Sequence, residues 1–169
     1  VVEAIKTLAT EEQISTDLRE KLLIAGWFHD TGYTKTVQGH EKESANIAKQ
    51  YLSEHNFDEN YINEVQDYIL ITTLNIVPKN IGEAIVKDAD NYHLGQTEYP
   101  KISELLRDEI AKICHKEFSD YEWHIENRNF FLNVHHFYTD AAKKHWQKGK
   151  EEYLIYTQNK IKEIELIGD

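Results

Sequence analysis

The chain has 169 residues, 40% apolar and 29% charged, with a formal net charge of −11. That mixture suits one folded domain over residues 1–169 and excludes a disordered or low-complexity chain. An acidic surface of this kind disfavours extended DNA or RNA as a partner. The single cysteine, Cys114, excludes an internal disulfide and points to a reducing, cytoplasmic setting, and no apolar run nears the ~20 residues of a membrane span.

Taken in order, the elements read as helices. The chain contains no methionine and opens abruptly on Val1-Val2-Glu3-Ala4, which suggests an incomplete N-terminus. Thr10-Glu11-Glu12-Gln13 has the form of a capping box. Asp17 then opens a helix whose Leu18, Leu22 and Ala25 recur at helical spacing, running into Trp27-Phe28-His29-Asp30 and stopping near Gly32. Gly39 starts another, with Ala45, Ala48 and Leu52 on one face and His55-Asn56 at its end. Asp58 precedes a stripe of Ile62, Val65 and Ile69; Pro78 interrupts; Ile81, Ile85 and Ala89 mark a short helix ending before Gly95. Residues 101–116, 120–134 and 138–166 read as three more, the last long and amphipathic. Alternating strand patterns and Gly/Ser-rich linkers are lacking, so the expected class is all-α.

Three ionisable residues stand out against this apolar background. Leu22-Leu23-Ile24-Ala25-Gly26-Trp27-Phe28 is apolar on nearly all sides, which predicts a buried helix delivering His29 and Asp30 into the interior, with Trp27, Phe28, Tyr33 and Tyr92 as core aromatics. Buried ionisable groups are costly unless paired or metal-bound. Asp88-Ala89-Asp90 supplies a second acidic pair among Ala84, Ile85 and Val86, and one of its two carboxylates should face inward. An imidazole and two carboxylates from separate helices suit the first shell of a divalent ion such as Mn, Fe, Co, Ni, Zn or Mg. Other conspicuous residues have plainer readings. His135-His136 fits a helix surface or core edge, and Lys143, Lys144, Lys148 and Lys150 a solvated helix face.

Ala25-Gly26-Trp27-Phe28-His29-Asp30-Thr31-Gly32-Tyr33, then Gly39-His40-Glu41-x-Glu43-Ser44-Ala45, then Asp88-Ala89-Asp90-x-x-x-Leu94-Gly95 resembles the HD phosphohydrolase superfamily in order and spacing. The resemblance covers at least residues 17–95; the remainder, with C-terminal helices over 101–166, is more loosely similar to small bacterial HD proteins. It implies a helical bundle of the HD type and a metal held by His29, Asp30 and Asp90. The family's first ligand histidine has no counterpart, as if the sequence began just after it, and Thr72-Thr73 stands roughly where binuclear members carry histidines, which favours one ion. The implied activity is hydrolysis of a phosphate mono- or diester, with a nucleotide as the expected substrate. Asp30 would act as general base. His40 would contact the phosphate or protonate the leaving oxygen, and Arg107 and Tyr33 would contribute to substrate binding. The alternative is an HD module that binds a nucleotide or cyclic nucleotide for signalling without turnover.

Overall fold

Ser15 opens the second helix of this computed structural model, which describes residues 1–168. Its side chain accepts from the Leu18 amide at 3.2 Å. The Thr10–Gln13 segment is no N-terminus. Thr10 and Glu11 end the first helix, α1 (Val2–Glu11), and Gln13 turns the chain in a left-handed conformation. Thr10 spends its hydroxyl on the Lys6 carbonyl one turn back, so it cannot cap forward.

The helices that follow are α2 (Thr16–Phe28), α3 (His40–Glu54), α4 (Glu59–Leu70), α5 (Ile81–Asp90), α6 (Tyr99–Cys114), α7 (Asp120–Asn133) and α8 (Asp140–Gly168). Short 3-10 turns occupy Thr31–Thr34 and Tyr92–Gly95. Among the described residues there is no strand, and the all-α class holds. Nor, among them, is any helix long and apolar enough to cross a membrane. Asp58, Asn80 and Ser119 cap α4, α5 and α7 through their side chains, the last in a complete capping box with Glu122.

The chain divides into two compact units, residues 1–92 with 138–142, and residues 93–137 with 143–169. In the first, α2, α3 and α4 close on a core of Ala25, Ala45, Ala48, Leu52, Ile62, Val65 and Ile69. Ile5 and Leu8 of α1 and Ile85 and Val86 of α5 are wholly buried as well. Small residues on α2 and α3 let the backbones approach, and the larger aliphatic groups of α4 fill the space between. In the second unit Trp123, Phe131 and Tyr153 are buried around a polar knot. The Trp123 ring N–H and the Tyr153 hydroxyl both donate to Ser103 Oγ, at 3.1 and 2.9 Å.

Several expectations about side chains need correcting. Trp27 is 72% exposed, and Tyr33 and Tyr92 are exposed too; only Phe28 is half-buried, against Tyr51. The buried stripe of α2 is Lys21, Leu22, Ala25 and Gly26, continued by His29, and Trp27 lies off it. An apolar run longer than the buried stripe therefore leaves its excess in water. Lys150, expected on a solvated face, is buried and donates to the His135 carbonyl. His135 itself is buried in the 134–139 loop, edge-on to Phe137.

Candidate metal and phosphate site

His29 sits on the buried stripe one turn beyond Ala25 and Gly26, at the C-cap of α2. Its Nδ1 lies 2.9 Å from the Gly26 carbonyl, so Nδ1 carries a proton and donates, and Nε2 is left facing Asp30 and Asp90. Nε2 is 3.1 Å from Asp30 Oδ2 and 3.4 Å from Asp90 Oδ1. Neither oxygen meets hydrogen-bond geometry, and Nε2 is a buried polar atom without a hydrogen-bond partner, on a residue only 8% exposed. Burial alone would push the ring's pKa down. Its contacts with Asp30 and Asp90, and their charge, outweigh that and bring it up to about 10. The His29 ring in turn holds the Asp30 carboxyl below its ordinary value against an opposing effect of burial.

Asp30 reaches this position through the turn that follows. It precedes the 3-10 turn Thr31–Thr34 without capping it, so its carboxylate is not consumed by backbone amides. Gly32 packs that turn onto α3. Its amide donates to Ser44 Oγ at 2.8 Å, and a Cβ there would lie 2.0 Å from the His40 carbonyl oxygen. No larger residue can sit so close to backbone. The approach brings His40, the first residue of α3, beside Asp30, with Nε2 3.6 Å from Oδ1. His40 Nδ1 donates to the Val37 carbonyl at 3.1 Å, so both imidazoles turn Nε2 toward the one carboxylate. Tyr33 stacks on His40 with ring centres 3.8 Å apart.

The two acids of α5 have separate tasks. Asp88 is fully buried and accepts from the Tyr138 amide (2.9 and 3.1 Å), the Thr139 amide (2.8 Å) and the Thr139 hydroxyl (2.8 Å), just ahead of α8. Asp90, two residues and about 200° further round the helix, has a side chain 27% exposed and turns to His29. Nearly every position of α5 is buried, which is why both carboxylates face inward instead of one.

Asp30, Tyr33, His40, Glu41, Thr72, Leu74, Lys87, Asp90 and Asn91 line a cavity of about 250 Å3. Lys87 and Asp90 of α5 and Asn91 at its C-cap reach it at i, i+3, i+4 spacing. That spacing is visible in the sequence, where Lys87 and Asn91 belong to no motif and Glu41 falls inside the motif over residues 39–45 without an assigned role. Lys87 is buried, and burial pushes its pKa down; its Nζ is surrounded by the carbonyls of Ile71, Thr72, Thr73 and Leu74. Arg107 belongs to the second unit, where its guanidinium binds Asp120 at 2.8 Å and the Phe118 carbonyl.

A family model described as HD domain matches residues 1–95, more than half of the chain. The chain belongs to the HD domain family. No curated protein and no solved structure gave a match. HD domains are largely hydrolases of the metal-dependent phosphohydrolase superfamily, and they typically bind divalent metals.

The donors of this HD domain suit such an ion. Bonds of about 2.1 Å meeting at right angles put neighbouring donor atoms roughly 3 Å apart. The separations of 3.1 and 3.4 Å around His29 Nε2 are close to that. A histidine with one nitrogen fixed by a carbonyl and the other set between carboxylates without a hydrogen bond is the arrangement a metal ligand needs. Among the described residues, no group of three or more His, Cys, Asp or Glu side chains is arranged to hold a metal ion. Of the two carboxylates beside His29, Asp30 is the more open, its side chain 56% exposed against 27% for Asp90.

Proposed function

We propose that this HD domain is a metal-dependent phosphohydrolase that cleaves a phosphate mono- or diester, with nucleotides as the substrate class. His29 Nε2, Asp30 and Asp90 hold one divalent ion, and the cavity beside them takes the phosphate. The observation that carries the proposal is His29: buried, its Nδ1 locked to the Gly26 carbonyl, its Nε2 without a hydrogen bond between two carboxylates. A purely structural histidine would be expected to satisfy both nitrogens.

When bound, the ion supplies Lewis acidity and a water acidic enough to ionise near neutral pH. Asp30 takes the proton of the attacking water on Oδ1, the oxygen that faces His40. The water oxygen attacks phosphorus as the bond to the leaving oxygen breaks. His40, anchored through Nδ1 to Val37, holds a proton on Nε2 for that leaving oxygen. Tyr33 backs the His40 ring and fixes its plane.

The test is release of phenolate from p-nitrophenyl phosphate and bis(p-nitrophenyl) phosphate with added Mn, Mg, Co or Ni. Turnover that needs the metal and falls by about 10²–10⁴ in Asp30→Asn supports the role of a general base. Hydrolysis undiminished in Asp30→Asn refutes it. Metal uptake with no turnover of any ester would favour the signalling module instead.

A further inference from the structure

We infer that the cavity is built for a singly charged phosphate, a phosphodiester, in preference to a dianionic monoester or a polyphosphate. The inference deepens the phosphohydrolase proposal and relies on it for the nature of the ligand.

The argument is a charge inventory of the wall. Asp30, Glu41 and Asp90 bring three carboxylates to the cavity, and Lys87 is the one ammonium among its lining residues. An ammonium has three hydrogens to donate. Those of Lys87 are taken by the carbonyls of Ile71 (3.0 Å), Thr73 (2.6 Å) and Leu74 (3.2 Å), with Thr72 at 3.5 Å as a fourth neighbour. Lys87 thus offsets charge but has no hydrogen left for a phosphate oxygen. Lys35, on the segment between Asp30 and His40, is spent on Glu43 at 2.5 Å and does not line the cavity.

Three carboxylates, one ammonium and one divalent ion cancel. A diester then adds one negative charge. A monoester adds two, because its second pKa is about 6, and polyphosphates add more. Each further charge meets Glu41 and the two ligand carboxylates, with no unspent ammonium on the wall and the His40 proton already committed to the leaving oxygen, and like charges brought together oppose binding. The neutral groups that remain, Thr72, Asn91 and Tyr33 with Leu74, suit an ester's organic arms better than bare oxygens.

The experiment uses the full chain at pH 8 with saturating Mn2+. Calorimetry gives the affinities of diphenyl phosphate and phenyl phosphate for the wild type, Glu41→Gln and Asn91→Lys. Taking the diester-to-monoester ratio in each protein and comparing ratios cancels the apolar contribution of the extra phenyl group. The wild type should prefer the diester by about tenfold or more. Both variants should narrow the ratio at least about fivefold by tightening the monoester. Asn91→Lys, which adds an ammonium, keeps the test alive if Glu41→Gln folds poorly. A monoester bound as well as the diester, a ratio unmoved in the variants, or no binding of either ester would overturn the inference. Diester preference without phenol release would uphold it and count against hydrolysis; turnover that favours the monoester would do the reverse.

Discussion

Replacing Asp88 by alanine removes the acceptor for the Tyr138 amide and for the Thr139 amide and hydroxyl at a fully buried position, and should destabilise the protein while leaving metal binding in place. Bonds to a charged group contribute roughly 1.5–3 kcal/mol each. They share one acceptor and are not additive, and water can reach some of the freed donors, so the net loss is about 4 kcal/mol. For a chain of this size each kcal/mol moves Tm by about 2–4 °C, giving a fall of roughly 8–16 °C. Asp90→Ala breaks only a partly exposed contact with His29, worth about 1 kcal/mol and a few degrees. Thermal melts followed by circular dichroism, with and without Mn2+, separate the two acids. At a hundred times Kd the ion should add about 2.7 kcal/mol to the wild type. Asp88→Ala should keep that upward shift from its lowered baseline, and Asp90→Ala should lose it. A large loss of stability in Asp90→Ala with Mn2+ stabilisation intact would refute the division of labour.

Gly32→Ala would press a methyl group against the His40 carbonyl and the Ser44 amide, neither of which can move alone. It should cost about 3 kcal/mol by chemical denaturation. A neutral result would mean that the turn is not packed on α3 as described. Trp27→Ala, at an exposed position, should change stability by no more than about 0.5 kcal/mol. A larger loss would restore Trp27 to the core. His29, raised to about 10, keeps its proton at pH 8 in metal-free protein, so an incoming ion must displace it. Affinity should therefore rise with pH below 10, and calorimetry in two buffers of different ionisation enthalpy should show about one proton released per ion. No release would contradict a protonated His29. By linkage, the stability that this proton gives the metal-free protein is complete below the ordinary value of 6.5 and is lost as pH rises through about 10.

Periodicity made the helices legible. Ile62, Val65 and Ile69 recur as the core stripe of α4, and Asp58 caps it, because a stripe and a cap are both local in sequence. Thr10 failed as a cap because the same Thr-x-x-Gln pattern fits a helix end, where the hydroxyl bonds backward. At the site, the motif order picked out His29, Asp30, His40 and Asp90, which the fold brings within 3.1–3.6 Å contacts centred on Asp30 and His29. The role of Asp88 was not legible. Its partners lie 50 and 51 residues further on, and nothing local in Asp88-Ala89-Asp90 tells a cap acceptor from a metal-facing acid. Lys87 was hidden for the same reason, since the carbonyls it binds carry no sequence signal. Trp27 misled because apolar composition does not say which side of a helix meets the core.

The central claim is that His29, with Asp30 and Asp90, takes one divalent ion. Titration of the chain with Mn2+, read as loss of the free-ion signal in electron paramagnetic resonance, measures this directly. One ion bound per chain in the wild type and none in His29→Gln is the predicted result. A wild type that leaves all Mn2+ free, or a His29→Gln protein that binds one ion as tightly, would contradict it.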